Sequence, residues 1–223
     1  LDTEFVLSKS NLNKLNNINV VESKKIEQSK RIDLSDKNSY LFKSWNYDNS
    51  PMLPLVQIEK QKNKNFKLWI HTNNLGERIE LNSKKSLETF FNCFESFPLL
   101  NNWQNYLSES IRNASRFKLG EKNEAISICL HLDKHNQITD WSFHLTLVKC
   151  SLVIGSEHTD ALLSRKSKTR ITSRLLKPIK EHIEDLDKIL EISTSFRQRH
   201  ISDGKIEIPT PHNKIKSLDE FFI

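Results

Sequence analysis

The chain has 223 residues, of which 36% are hydrophobic, and this fits one large domain or one domain with an attached linker. Only four glycines are present, which leaves little material for a phosphate-binding glycine loop and argues against kinases, P-loop NTPases and dinucleotide-binding enzymes. The net charge of +6 favours a phosphate-rich partner, although a solvated lysine-rich surface explains the same charge equally well.

The three cysteines, Cys93, Cys129 and Cys150, are odd in number and show no metal-ligand spacing. This pattern predicts a reducing compartment, and we expect a cytoplasmic protein. No apolar run approaches the length of a membrane span, so no membrane partner is expected. The chain starts without an initiator methionine and stops on an apolar run, which predicts a piece of a longer polypeptide.

The first half of the chain opens with a polar segment and then shows a hairpin pattern. Residues 1–30 are rich in Asn, Lys and Ser and predict a lead-in or linker. We expect residues 31–223 to form one partial domain. The β-rich runs 55–59 and 66–71, separated by a polar linker, predict a hairpin. Two short amphipathic helices are predicted after this hairpin, over residues 86–94 and 103–111.

The second half carries a longer hairpin and a long helix. Residues 125–133 and 141–147 alternate apolar and polar side chains, which predicts two strands with one face in the core and the other partly wet. Residues 181–200 show an apolar stripe with acids early and bases late, and Gly204 is expected to end this helix. Residues 205–208 are predicted as a closing strand. The fold class is therefore α+β, with antiparallel β hairpins forming a sheet packed with helices.

The segment from Asp160 to Lys180 holds as much excess positive charge as the whole chain. Such a segment attracts phosphate backbones. Its predicted RNA-binding residues are Arg165, Lys166, Lys168, Arg170, Arg174 and Lys177, and Lys180 completes the basic set. Candidate base-stacking aromatic residues are Trp45, Tyr47, Trp69, Phe94, Phe97, Trp103 and Trp141, each of which is more often a core residue.

Metal-ligand and nucleophile patterns are weak. His131 and His144 fall on the two strands of the longer predicted hairpin, but no Cys or Asp stands at the spacing that a zinc site requires. Ordinary histidines on a strand surface explain them better. No serine lies in a nucleophile-elbow motif.

Several short stretches follow one another in a distinctive order. They are Arg31-Ile-Asp-Leu34, Phe66-Lys-Leu-Trp-Ile-His71, Ser86-Leu-Glu88, Leu107-Ser-Glu109, Glu124-Ala-Ile-Ser127, and Arg199 with Asp203-Gly-Lys-Ile206. In this order they resemble the RNB catalytic core of the ribonuclease II / ribonuclease R family. The second stretch is similar to the family's Leu-Trp-Val-His strand, which the family usually continues as Ile-Ala-Asp and this chain continues as Thr72-Asn-Asn74.

The resemblance implies an RNB-like core and a processive, single-strand-specific exoribonuclease that works from the 3′ end and releases nucleoside 5′-monophosphates. Members of the family hold Mg²⁺ with about four aspartates just before the Leu-Trp-Val-His hairpin, because hard cations select oxygen ligands. Laid over this chain, the Asp-Asp pair becomes Leu53-Pro54, the preceding Asp becomes Pro51, and the first Asp falls near Lys43. Asp48 alone is left as a remnant ligand.

One carboxylate cannot neutralise and orient two Mg²⁺ ions. We therefore expect an RNB-type protein that binds single-stranded RNA and no longer hydrolyses it. One alternative is an active exoribonuclease that takes Mg²⁺ ligands from Asp48, Glu59 or residues outside this chain. Another is a scaffold that uses the fold for protein contacts. Mg²⁺ is expected only for the active enzyme, and the oligomeric state stays open.

Overall fold

A computed structural model describes residues 31–43, 53–77, 96–99, 102–105, 109–165 and 173–206. These residues fall into two compact units. The larger unit contains residues 31–43, 53–72, 118–165 and 173–206, and the smaller contains the other described residues from 73 to 117. Among the helices of the described residues, none is long and apolar enough to cross a membrane.

The larger unit is built on a seven-stranded mixed sheet. Its strand order is β1-β8-β7-β4-β3-β2-β9, and the β1–β8 and β2–β9 pairs are parallel. The strands are β1 (Ile32–Asp33), β2 (Ser39–Lys43), β3 (Leu55–Lys60), β4 (Phe66–Asn73), β7 (Asn123–Leu132), β8 (Ile138–Val148) and β9 (Leu152–Gly155).

Both predicted hairpins are present in this sheet. In the first hairpin, Leu55 pairs with His71 and Lys60 with Phe66. Its connection contains a 3-10 turn, Lys62–Lys64, in which Asn63 has a φ of 60°, a conformation that asparagine tolerates better than most residues. In the second hairpin, β7 and β8 form a long antiparallel ladder. The predicted α+β class is confirmed, with two parallel pairs added to the antiparallel arrangement.

Two helices cover one face of the sheet, α2 (Ser156–Leu163) and α3 (Ile183–Ser202). The predicted helix over residues 181–200 is thus confirmed, with a 3-10 turn, Lys180–His182, at its start. Its apolar stripe packs on the sheet, because helix residues three and four apart share one face. Gly204 ends α3 at a φ of 81°, and the Lys205 N–H donates to the His200 carbonyl as expected for a glycine-terminated helix. The buried side chains of α3 are Ile183, Leu186, Ile189 and Ile192.

The polar face of the longer hairpin, which lies away from these helices, was expected to be partly wet, and this expectation is wrong for Ser127 and Thr146. Gln57, His71, Ser127 and Thr146 are all fully buried. Polar side chains can be buried at low cost when they bond one another. Accordingly, the Ser127 hydroxyl lies 2.7 Å from His71 Nδ1 and 2.6 Å from the Thr146 hydroxyl.

The opposite deviation occurs on β8, where Trp141 and Phe143 were expected in the core but are 58% and 65% exposed. Their cross-strand partners on β7 are Leu130 and Ile128. Leu130 belongs to the cluster that contains Ile192 of α3, so the helix covers β7 and leaves β8 open. β1 pairs only with residues 146 and 147 of β8.

In the smaller unit, β5 (Ser96–Leu99) and β6 (Asn102–Asn105) form an antiparallel pair, and α1 spans Glu109–Ser115. The helix predicted over residues 103–111 is therefore wrong at its start, because strand pairing with β5 overrides the local helical pattern. The helix predicted over residues 86–94 lies outside the described residues. Lys205 and Ile206 belong to no regular element, and the rest of that predicted strand is also outside them.

Candidate nucleic-acid interface

The positions where the resemblance puts metal ligands lie at one end of the sheet, between β2 and β3. The last paired residues of these strands there are Leu41 and Leu55. Leu53 and Pro54 lie just before β3 and outside the paired stretch; extending the antiparallel register by two residues would bring Lys43, which shares a face with Leu41, opposite Leu53. Directly opposite residues on paired strands have Cβ atoms about 4.5–5.5 Å apart. Lys43 also pairs with Gly155 of β9 on its other side.

The described part of this end of the sheet does not fit a magnesium site. Lys43 carries a positive charge, and Leu53 and Pro54 have no oxygen in their side chains. No group of three or more His, Cys, Asp or Glu residues capable of holding a metal is found in the described residues, and this covers His131 and His144. Asp48 and Pro51 lie outside the described residues, so the role predicted for Asp48 stays a prediction.

Glu59, the other carboxylate considered as a metal ligand, is held by neighbouring side chains. It accepts hydrogen bonds from Trp69 Nε1 at 3.1 Å and Gln57 Nε2 at 3.3 Å. Its second oxygen lies 3.6 Å from Lys37 Nζ. Glu59 lies five positions after Pro54, which corresponds to about 16 Å along a strand. Glu59 therefore anchors the buried Trp69 and is remote from the predicted metal position.

The basic segment after α2 is only partly described. Arg165 donates to Asp187 of α3, and its side chain is 12% exposed, which favours a structural role for it. Lys166, Lys168 and Arg170 lie outside the described residues. Arg174, Lys177 and Lys180 are exposed, and Leu176 and Ile179 between them are buried against the cluster around Tyr40. The two apolar anchors hold this stretch so that its three basic side chains face solvent.

His71 contributes a buried imidazole to the same face as Lys43. Burial lowers the pKa of His71 to about 4, because a low-dielectric surrounding disfavours the charged form. Its ring is stacked on Trp69, with centroids 6.2 Å apart. Trp69, considered above as a base-stacking residue, is itself buried, whereas Trp141 is exposed. At neutral pH His71 is neutral and serves packing.

Cysteine chemistry is equally disfavoured within the described residues. Cys129 and Cys150 are free and buried. Burial raises the pKa of the Cys129 thiol to about 11 and also raises the pKa of Cys150. A thiol that stays protonated at neutral pH is a poor nucleophile.

One polar cluster, which fixes the turn between β7 and β8 to α3, has no recognisable signal in the sequence. Asn136 in this turn is buried and has a φ of 58°. Its amide donates to Glu191 at 3.1 Å and Ser195 at 3.2 Å, and accepts from Lys188 at 3.0 Å. Arg199, quoted above as part of a sequence landmark, donates to the Asn136 carbonyl. We call these side chains the turn clasp.

Comparison with known proteins agrees with this architecture. The sequence model of the RNB domain matches residues 31–221. No curated protein sequence matches the chain.

Three solved structures share the fold. RNase R of Mycoplasma genitalium in complex with ribose methylated single-stranded RNA gives a TM-score of 0.69 at 12% identity, over 91% of this chain and 30% of that one. Yeast Ssd1, a pseudonuclease, gives a TM-score of 0.63 at 17% identity, over 85% of this chain and 22% of that one. An active-site mutant of the Dss1 exoribonuclease from Candida glabrata gives a TM-score of 0.65 at 15% identity, over 88% of this chain and 26% of that one. The chain thus spans less than a third of each of these relatives.

Proposed function

Because the chain belongs to the RNB-domain family of exoribonucleases, we propose that it binds single-stranded RNA and does not hydrolyse it. The observation that carries this proposal is the pair Leu53-Pro54 directly before β3, where the family resemblance expects two aspartates. Phosphodiester hydrolysis with two metal ions requires several oxygen ligands that clamp the attacking and leaving oxygens. Leucine and proline side chains cannot provide them.

Two proteins that share the fold support the proposal, one by its bound RNA and the other as a pseudonuclease. RNase R of Mycoplasma genitalium was solved with single-stranded RNA, and yeast Ssd1 is a pseudonuclease. The exposed cations Arg174, Lys177 and Lys180 supply the kind of surface that binds a phosphate backbone. The free cysteines Cys129 and Cys150 support our further proposal that the protein works in the cytoplasm.

The test measures binding and hydrolysis on the same RNA. A fluorescein-labelled single-stranded RNA is titrated with the protein, and binding is followed by fluorescence anisotropy at increasing salt. The same RNA is then incubated with the protein in Mg²⁺ or Mn²⁺, and products are separated on a denaturing gel. We expect binding that weakens with salt and no release of mononucleotides, with an active ribonuclease R as the positive control.

Each alternative predicts a different result. Metal-dependent release of nucleoside 5′-monophosphates would replace the proposal with an active exoribonuclease. The hydrogen bonds that hold Glu59 argue against that enzyme drawing a ligand from this residue. Absence of RNA binding at low salt would instead favour a protein-interaction scaffold.

A further inference from the structure

We propose that Lys43 contacts an RNA phosphate directly, at the end of the sheet where RNB enzymes are expected to hold metal ions. This inference rests on the proposed function, since it names the contact that would hold the RNA there. The inference starts from a difference between this chain and the family pattern. The described residues at or near the expected metal positions include one cation, Lys43, and no carboxylate. In the described part of the site, one positive side chain stands where negative side chains are expected.

Strand register gives the position of this charge. Leu41 and Leu55 are paired and both are buried. Lys43 follows Leu41 by two residues and Leu53 precedes Leu55 by two, so extending the register past its last pair would bring the lysine towards Leu53, where the resemblance expects a metal-binding aspartate. A lysine side chain extends about 6 Å from its Cα, which covers the separation of two opposed strand residues.

The Lys43 ammonium is available for a ligand. Lys43 as a residue is half-buried at the end of β2, and no hydrogen bond or ion pair of its side chain is found with any described residue. A cation that has no acidic partner can pair with an anionic ligand without first giving up another ion pair. One exposed acid, Glu157, lies in the first turn of α2, which follows Gly155, the β9 partner of Lys43.

The neighbouring strand adds a smaller favourable contribution. Gly155, the partner of Lys43 on β9, is the N-cap residue of α2 and offers no side-chain cap to the first N–H groups of that helix. Uncapped N–H groups give a helix start a partial positive charge. His158 Nδ1 is buried near Gly155 and has no hydrogen-bond partner. These groups add to the potential at Lys43, which remains the charge on which the inference depends.

An ammonium and a metal ion serve a phosphate differently. Lys is a compact point charge with three donors, and it binds phosphate through charge-assisted hydrogen bonds. It does not lower the pKa of a bound water as a divalent metal does. Lys43 therefore accounts for RNA binding that needs no metal and leads to no hydrolysis.

The test compares substitutions of equal size in the full chain. Lys43→Gln removes the charge, and Lys43→Arg keeps it. Lys62→Gln removes the same charge from an exposed lysine in the β3–β4 connection and controls for net charge. Binding to fluorescein-labelled oligouridylate is measured by anisotropy over a range of salt, with EDTA and with Mg²⁺, and circular dichroism checks the fold of each variant.

We expect Lys43→Gln to weaken binding about fivefold near 0.1 M salt, because one lost phosphate contact removes about 0.7 from the slope of log K against log salt for single strands. Lys43→Arg and Lys62→Gln should bind like the parent chain, and EDTA should have no effect. A Lys43→Gln affinity equal to that of Lys62→Gln, or parental binding that EDTA abolishes, overturns the inference and leaves RNA binding intact. Failure of the parent chain to bind any RNA refutes the proposed function itself.

Discussion

His71 joins three strands through hydroxyl groups and carries a titratable ring in the interior. Its Nδ1 meets Ser127 of β7, which in turn meets Thr146 of β8. The ring is fully buried, and burial holds its pKa at about 4. A buried neutral histidine must take up a proton when the chain unfolds in mild acid, so it makes stability depend on pH.

The sign of this dependence follows from the two pKa values. The unfolded imidazole titrates near 6.5 and the folded one near 4, so the unfolded chain binds more protons between these values. The contribution of His71 to the free energy of unfolding is fully present above pH 6.5. It is lost as the pH falls from 6.5 to 4, and it changes no further below pH 4. The loss is on the order of 3 kcal/mol.

We expect His71→Asn to lower the free energy of unfolding at pH 7 and to flatten its change between pH 6.5 and 4. Urea unfolding at a series of pH values measures both effects. Thr146→Val provides the matched control, because it removes a buried hydroxyl from the same chain of contacts and leaves the imidazole in place. It should lower stability and keep the slope. An unchanged slope in His71→Asn would contradict the assignment.

Residue types at the candidate site could be read from the sequence, but their spatial relation could not. The resemblance placed Leu53 and Pro54 at two of the metal positions and a third position near Lys43. That the chain brings Lys43 towards Leu53 follows only from extending the β2–β3 register. The burial of Trp69 and the pairing of Arg165 with Asp187 also depend on elements distant in sequence. Composition alone could not separate these residues from solvent-facing ones.

At the scale of elements, the turn clasp fixes the β7–β8 hairpin to α3. The carbonyl and amide of Asn136 bond four side chains of the helix, and the residue sits in the left-handed region at a φ of 58°. Both properties matter, because a buried polar turn needs its hydrogen bonds and a β-carbon is disfavoured at positive φ. Asparagine is one of the few residues that satisfies both.

Two substitutions separate these effects. Asn136→Ala should lower the free energy of unfolding by about 2–3 kcal/mol, since it loses the amide bonds and adds backbone strain. Asn136→Gly should cost about 1 kcal/mol less, because glycine adopts positive φ freely. Urea unfolding measures both, and Lys134→Ala in the same turn, where the side chain is exposed, should change stability by less than about 0.5 kcal/mol. Equal losses of unfolding free energy in Asn136→Ala and Asn136→Gly would show that backbone strain contributes nothing.

Local patterns predicted the hairpins and α3, because alternation and helical periodicity are encoded in neighbouring residues. The sheet order could not be obtained in the same way. The parallel pairs β1–β8 and β2–β9 join residues more than a hundred positions apart, and nothing local marks such partners. The same limit explains β6, whose apolar and polar residues fit a helix until pairing with β5 decides its conformation.

At the scale of the whole molecule, the question is whether the positive charge is organised to bind a phosphate chain. The exposed residues Arg174, Lys177 and Lys180 follow one another on a stretch anchored by Leu176 and Ile179. Cations held in a row can each displace a counterion from the same strand. Scattered lysines of equal number would not act on one RNA together.

The triple substitution of Arg174, Lys177 and Lys180 by Gln should reduce the slope of log K against log salt by about 2, since each lost phosphate contact removes about 0.7 for single strands. Fluorescence anisotropy with labelled single-stranded RNA measures this slope. A second triple variant, with Gln at Lys62, Lys64 and Lys134, removes the same charge from other exposed positions and should keep the parental slope. Equal slopes in the two variants would show that net charge alone attracts the RNA.

The open stretch of β8 bears on solubility. Among the described residues, β1 pairs only with its last part, and the exposed rings of Trp141 and Phe143 stand beside one another there with centroids 5.5 Å apart. Such an edge is a place where a second copy could add a strand and begin an aggregate. Asp140 stands at this place, its carboxylate accepting the backbone N–H of Trp141 at 2.8 Å. Asp140 thus puts a negative charge beside two exposed aromatic rings, and a charge at such a position opposes strand addition by a second copy.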